Sequence, residues 1–150
     1  MIGVALDTNL MILLCLGQSS RRYVGHHERV KNYTPQDYEN LLTIVAQCDT
    51  LVSTPFSLSQ VSDLLKISHK RAHNREIVMA YRRLVALVEE RSLPSAQLCL
   101  QDEFMSFGLA DTAWFLTLDD HTMFYSADEE LVNYAGALGK RAMWFRPSKQ

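Results

Sequence analysis

Three aspartates lie beside apolar segments in a way that could bring their carboxylates together. Asp7 ends the apolar run of residues 2–6, Asp128 follows a later strand-like run, and Asp111 lies where a helix would restart after Gly108. Grouped carboxylates repel one another unless a cation lies between them, and hard divalent cations such as Mg²⁺ prefer oxygen ligands. Each acid alone is also typical of a helix N-cap. The pattern therefore predicts a metal site, with helix capping as the alternative.

Strands and helices that alternate along the chain must position these acids. Apolar periodicity predicts strands at residues 2–6, 50–54, 122–125 and 142–145. Helices are predicted at residues 10–16, 35–46, 55–67, 74–91, 101–118 (interrupted at Gly108) and 128–138. Helical connections between strands predict an α/β fold: a central, mainly parallel, twisted sheet of four or five strands with helices on both faces. Ligands of such sheets bind at the carboxyl ends of the strands.

The composition is that of an ordinary globular chain, predicted to form one domain over residues 1–150. Its 150 residues are 47% hydrophobic, and the net charge of −2 gives no general attraction to nucleic acid. No apolar stretch approaches the roughly 20 residues that cross a bilayer, and the first residues lack the cationic flank of a signal peptide. The three scattered cysteines are expected to be reduced and buried. These features predict a cytoplasmic protein without a membrane partner.

Four short motifs occur in an order and at a spacing that one known family shares. They are LDTN at residues 6–9, STPFSLSQV at 53–61, GLADTA at 108–113 and YSAD at 125–128. With these motifs, the chain resembles the PIN domain family over nearly its whole length. The resemblance implies a PIN-like sheet with Asp7, Gln60, Asp111 and Asp128 at one end.

The resemblance also implies a function, namely an endoribonuclease that hydrolyses RNA phosphodiester bonds with Mg²⁺ or Mn²⁺. Asp7, Asp111 and Asp128 would hold the metal directly or through water, and Asn9 and Ser126 would orient ligands or water. The metal would activate water and neutralise charge on the scissile phosphate. Because toxins of bacterial toxin–antitoxin pairs belong to this family, an antitoxin-like protein and a homodimer are implied as partners beside RNA.

Gln60 departs from the family pattern, which has a glutamate at the matching position. The amide keeps one carbonyl oxygen but removes a negative charge, whose interaction with a unit charge is about 4 kcal/mol at about 4 Å in an effective dielectric near 20, before desolvation. Asp63 lies one helical turn further along and could supply the missing charge to the metal. The alternative is a catalytically weakened PIN-like module that binds RNA or a protein partner.

Two groups of cations could contact RNA outside the acidic site. Residues 21–31 form a polar loop in which arginines and lysine accompany Tyr23, a combination that can bind phosphates and stack on a base. The second group comprises Lys66, His69, Lys70, Arg71, His73 and Arg75. A solvated surface is the alternative for both groups, and zinc binding by the two histidines is disfavoured because no H-E-x-x-H glutamate accompanies them. Trp114 and Trp144 are expected in the core rather than as stacking platforms.

Overall fold

The fold consists of short strands that alternate with helices. The computed structural model describes residues 2–67 and 74–149. Its strands are β1 (Gly3–Leu6), β2 (Thr50–Ser53), β3 (Val88–Glu90), β4 (Thr122–Ser126) and β5 (Ala142–Trp144). Its helices are α1 (Thr8–Ser19), α2 (Pro35–Ala46), α3 (Pro55–Leu64), α4 (Asn74–Leu87), α5 (Ser95–Cys99), α6 (Asp102–Thr117) and α7 (Glu129–Ala137), with a 3₁₀ turn at Arg21–Tyr23.

The strands form one five-stranded sheet in the order β3-β2-β1-β4-β5, and every pairing is parallel. In the middle, Gly3 of β1 is in register with both Thr50 of β2 and Thr122 of β4. Strands β2 and β3 are added on one side of β1, and β4 and β5 are added on its other side. The direction in which strands are added reverses at β1, so the topological switch point lies between β1 and β4. The predicted α/β class is confirmed, and this single compact domain is consistent with a PIN-like fold.

The sheet divides the hydrophobic core into two layers. Val4 and Leu6 of β1 join a cluster with α1, α2, α3 and α4, whereas Ala5 between them joins a second cluster with α6 and α7. This alternation follows from the two-residue period of a strand. Helices therefore cover both faces of the sheet, as the sequence predicts.

Helix α1 is the most completely buried helix of the first layer. All residues from Leu10 to Gly17 are buried, because α1 packs against β1 on one side and against α2, α3 and α4 on the others. A helix that is apolar all round requires such an interior position. Within the described ranges, no helix has the length and apolarity that crossing a bilayer would need.

Several helix boundaries follow from local signals. At the start of α2, the Thr34 hydroxyl accepts a hydrogen bond from the Asp37 N–H, and the Asp37 carboxylate accepts one from the Thr34 N–H. Pro35 occupies the first helical position, where its missing N–H is not needed. Gly139, with φ of 80°, follows the end of α7. These are the boundaries that the sequence predicts.

The sequence prediction is wrong at residues 88–91, which were expected to continue α4. Helix α4 ends at Leu87, and Val88–Glu90 is the edge strand β3, in which Val88 pairs with Leu51. Val88 fits the apolar spacing of α4, whereas its pairing with β2 is a distant contact that periodicity does not reveal. The short helix α5 was also not predicted.

The observed burial of the tryptophans and the cysteines differs in part from the predictions. Trp114 is 1% exposed and lies in the core, but Trp144 is 38% exposed, so the prediction of a core position is wrong for Trp144. All three cysteines are free thiols as expected, yet only Cys15 is buried, Cys48 is half-buried and Cys99 is exposed. The exposed positions belong to the short edge strand β5 and the short helix α5, which bury few of their side chains.

Candidate functional site

A cleft of about 470 Å³ opens at the carboxyl end of the sheet, where β1 leads into α1 and β4 leads into α7. The described residues that line it are Asp7, Thr8, Asn9, Gln60, Asp63, Leu64, Asp111, Asp128 and Leu131. All but three of these, Thr8, Leu64 and Leu131, were proposed for the site from the sequence. Ser126, the remaining predicted residue, does not line the cleft but is buried and hydrogen-bonded to Asp7.

Asp7 connects β1 to α1 and is only 6% exposed. Its Oδ1 accepts a hydrogen bond from the Leu10 N–H at 2.9 Å, which caps α1. Its Oδ2 accepts hydrogen bonds from the Ser126 hydroxyl and from the Ala127 N–H, the latter at 2.9 Å. One carboxylate therefore ties the start of α1 to the turn after β4, and this tie brings Asp128 into the cleft.

Asp128 caps α7, since its Oδ1 accepts hydrogen bonds from the N–H groups of Glu130 and Leu131 at 3.0 and 3.3 Å. Ser126 shapes the same turn, because its Oγ accepts the Asp128 N–H at 3.0 Å. The capping alternative is thus correct for both Asp7 and Asp128. Asp128 is nevertheless exposed, and its Oδ2 accepts no hydrogen bond from the described residues. That oxygen remains available to a ligand.

Asp111 reaches the cleft because α6 changes direction at Gly108. The dihedral angles of Gly108, φ 80° and ψ −176°, interrupt the helix, and the Thr112 hydroxyl donates to the Gly108 carbonyl oxygen at 2.7 Å just beyond the interruption. Burial raises the pKa of Asp111 to about 6, and the negative charges of Asp128 and Asp7 add to this rise. The three carboxylates are therefore close enough to repel one another.

Gln60, on α3, has its carbonyl oxygen engaged within the protein. The Thr8 hydroxyl donates to Gln60 Oε1 at 2.8 Å, and Thr8 Oγ1 also lies 3.0 Å from the hydroxyl oxygen of Ser57. The oxygen that would replace a glutamate oxygen is thus already hydrogen-bonded, and the amide NH₂ is the group left for a ligand. Thr8 is a site residue that the sequence analysis missed, and its only signal is its position directly after Asp7.

The charged side chains that line the cleft among the described residues are all carboxylates. Burial raises the pKa of Asp7, and the charge of Asp128 contributes to that rise, although three hydrogen bonds to Asp7 act in the opposite direction. In the part of the chain that the structure describes, no lysine, arginine or histidine forms an ion pair with Asp7, Asp63, Asp111 or Asp128. Like charges so arranged favour either protonation or the binding of a cation.

The arrangement fits a divalent metal only in part. No group of three acidic, histidine or cysteine side chains among the described residues could hold one metal ion by itself. Both oxygens of Asp7 already accept hydrogen bonds. Mg²⁺, however, keeps several waters and is commonly bound by one or two carboxylates together with substrate phosphates. Asp111 and Asp128 fit this hydrated mode, since both have carboxylate oxygens to which no described residue donates a hydrogen bond.

The two remaining predicted residues, Asn9 and Asp63, line the cleft with exposed side chains. Asp63 lies beyond Gln60 on the same helix and adds a fourth carboxylate to the lining, as its spacing predicts. Neither side chain forms a hydrogen bond with the other described residues. They can therefore contact a ligand or its water without first breaking a protein contact.

The cationic groups predicted to bind RNA are only partly described. In the loop of residues 21–31, Arg21 pairs with Glu39 at 2.8 Å, and the ring of Tyr23 contacts His27 edge-on, with centroids 6.2 Å apart. These contacts reduce the charge and the aromatic surface that the loop offers to RNA. In the second group, residues His69, Lys70, Arg71 and His73 lie outside the described residues.

Comparison with known proteins gives no relative for this chain. No protein-family model, no curated protein and no solved structure matches it. The PIN-domain resemblance therefore depends on the four motifs alone. Membership of that family, and the roles assigned to Asp7, Gln60, Asp111 and Asp128, remain predictions.

Proposed function

We propose that the acidic cleft is the active site of an endoribonuclease that uses Mg²⁺ or Mn²⁺. The single observation that supports it most is the meeting of Asp7, Asp111 and Asp128 in one cleft whose described lining contains no cationic side chain. An RNA phosphodiester is itself an anion, so such a cleft binds it only with a cation between them. The cleft also lies at the switch point of a parallel sheet, where ligands of such folds bind.

Binding and positioning would fall to different residues of the cleft. Asp111 and Asp128 would hold the cation, directly or through water, with Asp63 as a further carboxylate. Asp7 would position Asp128 through its hydrogen bonds to Ser126 and Ala127, and its charge would strengthen the attraction for the cation. When bound, a divalent metal supplies activation of water and neutralisation of charge on the scissile phosphate.

Gln60 and Asn9 would contact the substrate or its water. The carbonyl oxygen of Gln60 already accepts a hydrogen bond from the Thr8 hydroxyl, which leaves the NH₂ group, a donor only, to face the substrate. A phosphate oxygen is a suitable acceptor for it. This role differs from that of the family glutamate, which contributes negative charge to the metal. With Gln60 in place of a glutamate, the site would bind the metal less tightly but would gain a direct hydrogen bond to RNA.

The test is cleavage of a single-stranded RNA in Mg²⁺ or Mn²⁺ by the wild type and by Asp7→Asn. We expect wild-type cleavage that a chelator abolishes, and a loss of roughly 100-fold in Asp7→Asn, because removal of a group that orients metal ligands has effects of this size. Asp120→Asn is the matched control, since Asp120 is exposed and lies outside the described lining. Equal activity of the wild type and Asp7→Asn would indicate a contaminating nuclease or another site.

A binding module without catalysis is the second candidate, and particular hydrogen bonds favour it. Asp7 and Asp128 serve as helix caps, and the carbonyl oxygen of Gln60 is engaged by Thr8. A site with so few available oxygens would hold a cation weakly, and the protein would then bind RNA or a protein partner. Calorimetric titration separates the candidates: micromolar Mg²⁺ affinity supports the enzyme, whereas millimolar or absent binding without cleavage supports the module.

The biological setting that we propose is that of a toxin in a bacterial toxin–antitoxin pair. The support is the motif resemblance, which also implies a small antitoxin-like inhibitor and a homodimer. The composition and the cysteine pattern are the separate basis for a cytoplasmic location. A neighbouring short reading frame for such an inhibitor would support the proposal. Sedimentation of a strict monomer at high protein concentration would remove the homodimer.

A further inference from the structure

Trp144 is a large aromatic residue that remains 38% exposed, whereas Trp114 is 1% exposed. It ends β5 and is in register with Ser126, the last residue of β4. Because parallel strands end at the same edge, Trp144 lies at the edge of the sheet that carries Asp7 and Asp128. The exposed indole is therefore beside the acidic cleft rather than at the far end of the molecule.

The turn that carries Asp128 holds the indole in a fixed orientation. Trp144 Nε1–H donates to the Ala127 carbonyl oxygen at 3.1 Å, while the Ala127 N–H donates to Asp7 Oδ2 at 2.9 Å. One residue spans at most about 3.6 Å, so Trp144 Nε1 lies within about 10 Å of the Asp7 carboxylate. A short single-stranded segment can therefore reach from the indole to the cleft.

The surroundings of the indole match a nucleotide better than an apolar protein surface. The guanidinium carbon of Arg146 lies 5.5 Å from the centroid of the ring, and 38% of Trp144 remains exposed with Arg146 in place. An aromatic ring beside a cation can stack on a base while the cation attracts the phosphate backbone. Met143, the neighbouring residue, projects from the opposite face of the strand, so it does not extend the indole into one apolar patch.

We propose that Trp144 is a base-stacking subsite for single-stranded RNA next to the acidic cleft. This subsite rests on the proposed function, because the phosphates that follow the stacked base would enter the cleft. The hydrogen bond of Nε1 to Ala127 preorganises the ring, so little side-chain freedom is lost on binding. Stacking of this kind accepts any base, and the subsite would contribute affinity and direction rather than sequence preference.

The test measures binding of a non-hydrolysable single-stranded RNA analogue by fluorescence anisotropy in the presence of Mg²⁺, so that the cleft can hold its cation and the result does not depend on cleavage. With the labelled analogue, Trp144→Ala should weaken binding by roughly tenfold, the usual effect of losing one base–aromatic stack. Trp144→Phe keeps an aromatic ring and should restore most of the affinity. Met143→Ala is the matched control, because Met143 is 52% exposed on the same strand and should leave the affinity unchanged.

Intrinsic fluorescence gives a second measurement. RNA should quench the emission of Trp144 but not that of buried Trp114, so Trp144→Phe should show no quenching. Equal RNA affinity of all variants without quenching would overturn the subsite. If the wild type then still cleaves RNA with Mg²⁺, only the subsite is wrong. If the wild type neither binds nor cleaves RNA, the proposed function is wrong as well. A change in self-association of Trp144→Ala with unchanged RNA affinity would also overturn the subsite and identify Trp144 as a protein contact.

Discussion

At the scale of single residues, the burial of Asp7 has an energetic cost that its hydrogen bonds do not remove. Three protein donors reach its carboxylate, yet its pKa is raised because desolvation outweighs them. The folded state therefore disfavours the charged form of Asp7 relative to the protonated acid. Groups perturbed in this way occur preferentially at functional sites. A bound cation would stabilise the charged form, and this gives the residue-scale reason for the proposed metal.

Replacement of Gln60 by glutamate tests whether this position contributes to metal binding. Gln60→Glu keeps an acceptor for the Thr8 hydroxyl and adds a charge to the cleft, so Mg²⁺ binding should strengthen by about tenfold. Without metal, the added repulsion should lower the melting temperature slightly, and Mg²⁺ should reverse that loss. Calorimetry and thermal unfolding measure both effects, with Gln97→Glu, an exposed glutamine of α5, as the matched control.

Asp63 provides the complementary test of the same position. If Asp63 supplies charge that Gln60 lacks, Asp63→Asn should weaken Mg²⁺ binding in the wild type and weaken it less in the Gln60→Glu background. Such non-additivity is the expected sign of two side chains that act on one ion. Unchanged metal affinity and unchanged stability in Gln60→Glu would place Gln60 outside the metal site.

At the scale of elements, the kink in α6 determines where Asp111 lies. Gly108 has φ 80° and ψ −176°, a backbone region that is essentially restricted to glycine. Although a Cβ there would meet no atom within 4 Å, Gly108→Ala should destabilise the fold by about 1–3 kcal/mol through backbone strain. If the second half of α6 shifts to relieve the strain, Asp111 moves with it, and cleavage should fall as well.

Urea unfolding measures the effect, and Gly136→Ala is the matched control. Gly136 lies inside α7, also has no atom within 4 Å of an added Cβ, and has no positive φ. Gly136→Ala should therefore stabilise the protein by about 0.5–1 kcal/mol. Equal responses of the two glycine variants would contradict the assignment of strain to Gly108.

The elements also show which parts of the fold and site are local enough to be predicted. Asp7 and Asp128 were located because each follows an apolar strand and begins a helix, a pattern contained in a few consecutive residues. The strand β3 was missed because its identity depends on pairing with β2, and the hydrogen bond of Thr8 to Gln60 joins residues that are distant in sequence. The exposure of Trp144 likewise depends on its place at the edge of the sheet, which composition does not indicate.

At the scale of the whole molecule, the acidic cleft predicts a pH-dependent stability. The pKa of Asp111 is raised from 3.8 to about 6, so ionised Asp111 costs folding stability above about pH 6, and this cost disappears as the pH falls to about 4. Without metal at pH 7.5, Asp111→Asn should therefore be more stable than the wild type, by about 1–2 kcal/mol after allowance for solvent screening. The difference should vanish near pH 4.

Comparing the wild type with Asp111→Asn separates the effect of Asp111 on stability from the effects of the other titrating groups. Burial lowers the pKa of His27, so protonation of that side chain destabilises the folded state as the pH falls, but it does so equally in both proteins. Mg²⁺ should stabilise the wild type more than Asp111→Asn at pH 7.5. A constant stability difference from pH 4 to pH 7.5 would show that Asp111 does not carry the raised pKa.

The most direct test of the account is the rate of RNA cleavage as a function of Mg²⁺ concentration, measured for the wild type and for Asp111→Asn. Asp111 accepts no hydrogen bond from the described residues, so Asp111→Asn would remove the proposed metal ligand with little structural change. We predict wild-type cleavage that rises to saturation with Mg²⁺, and a rate roughly 100-fold lower for Asp111→Asn at each concentration. Metal-independent cleavage, or equal rates for the two proteins, would contradict it.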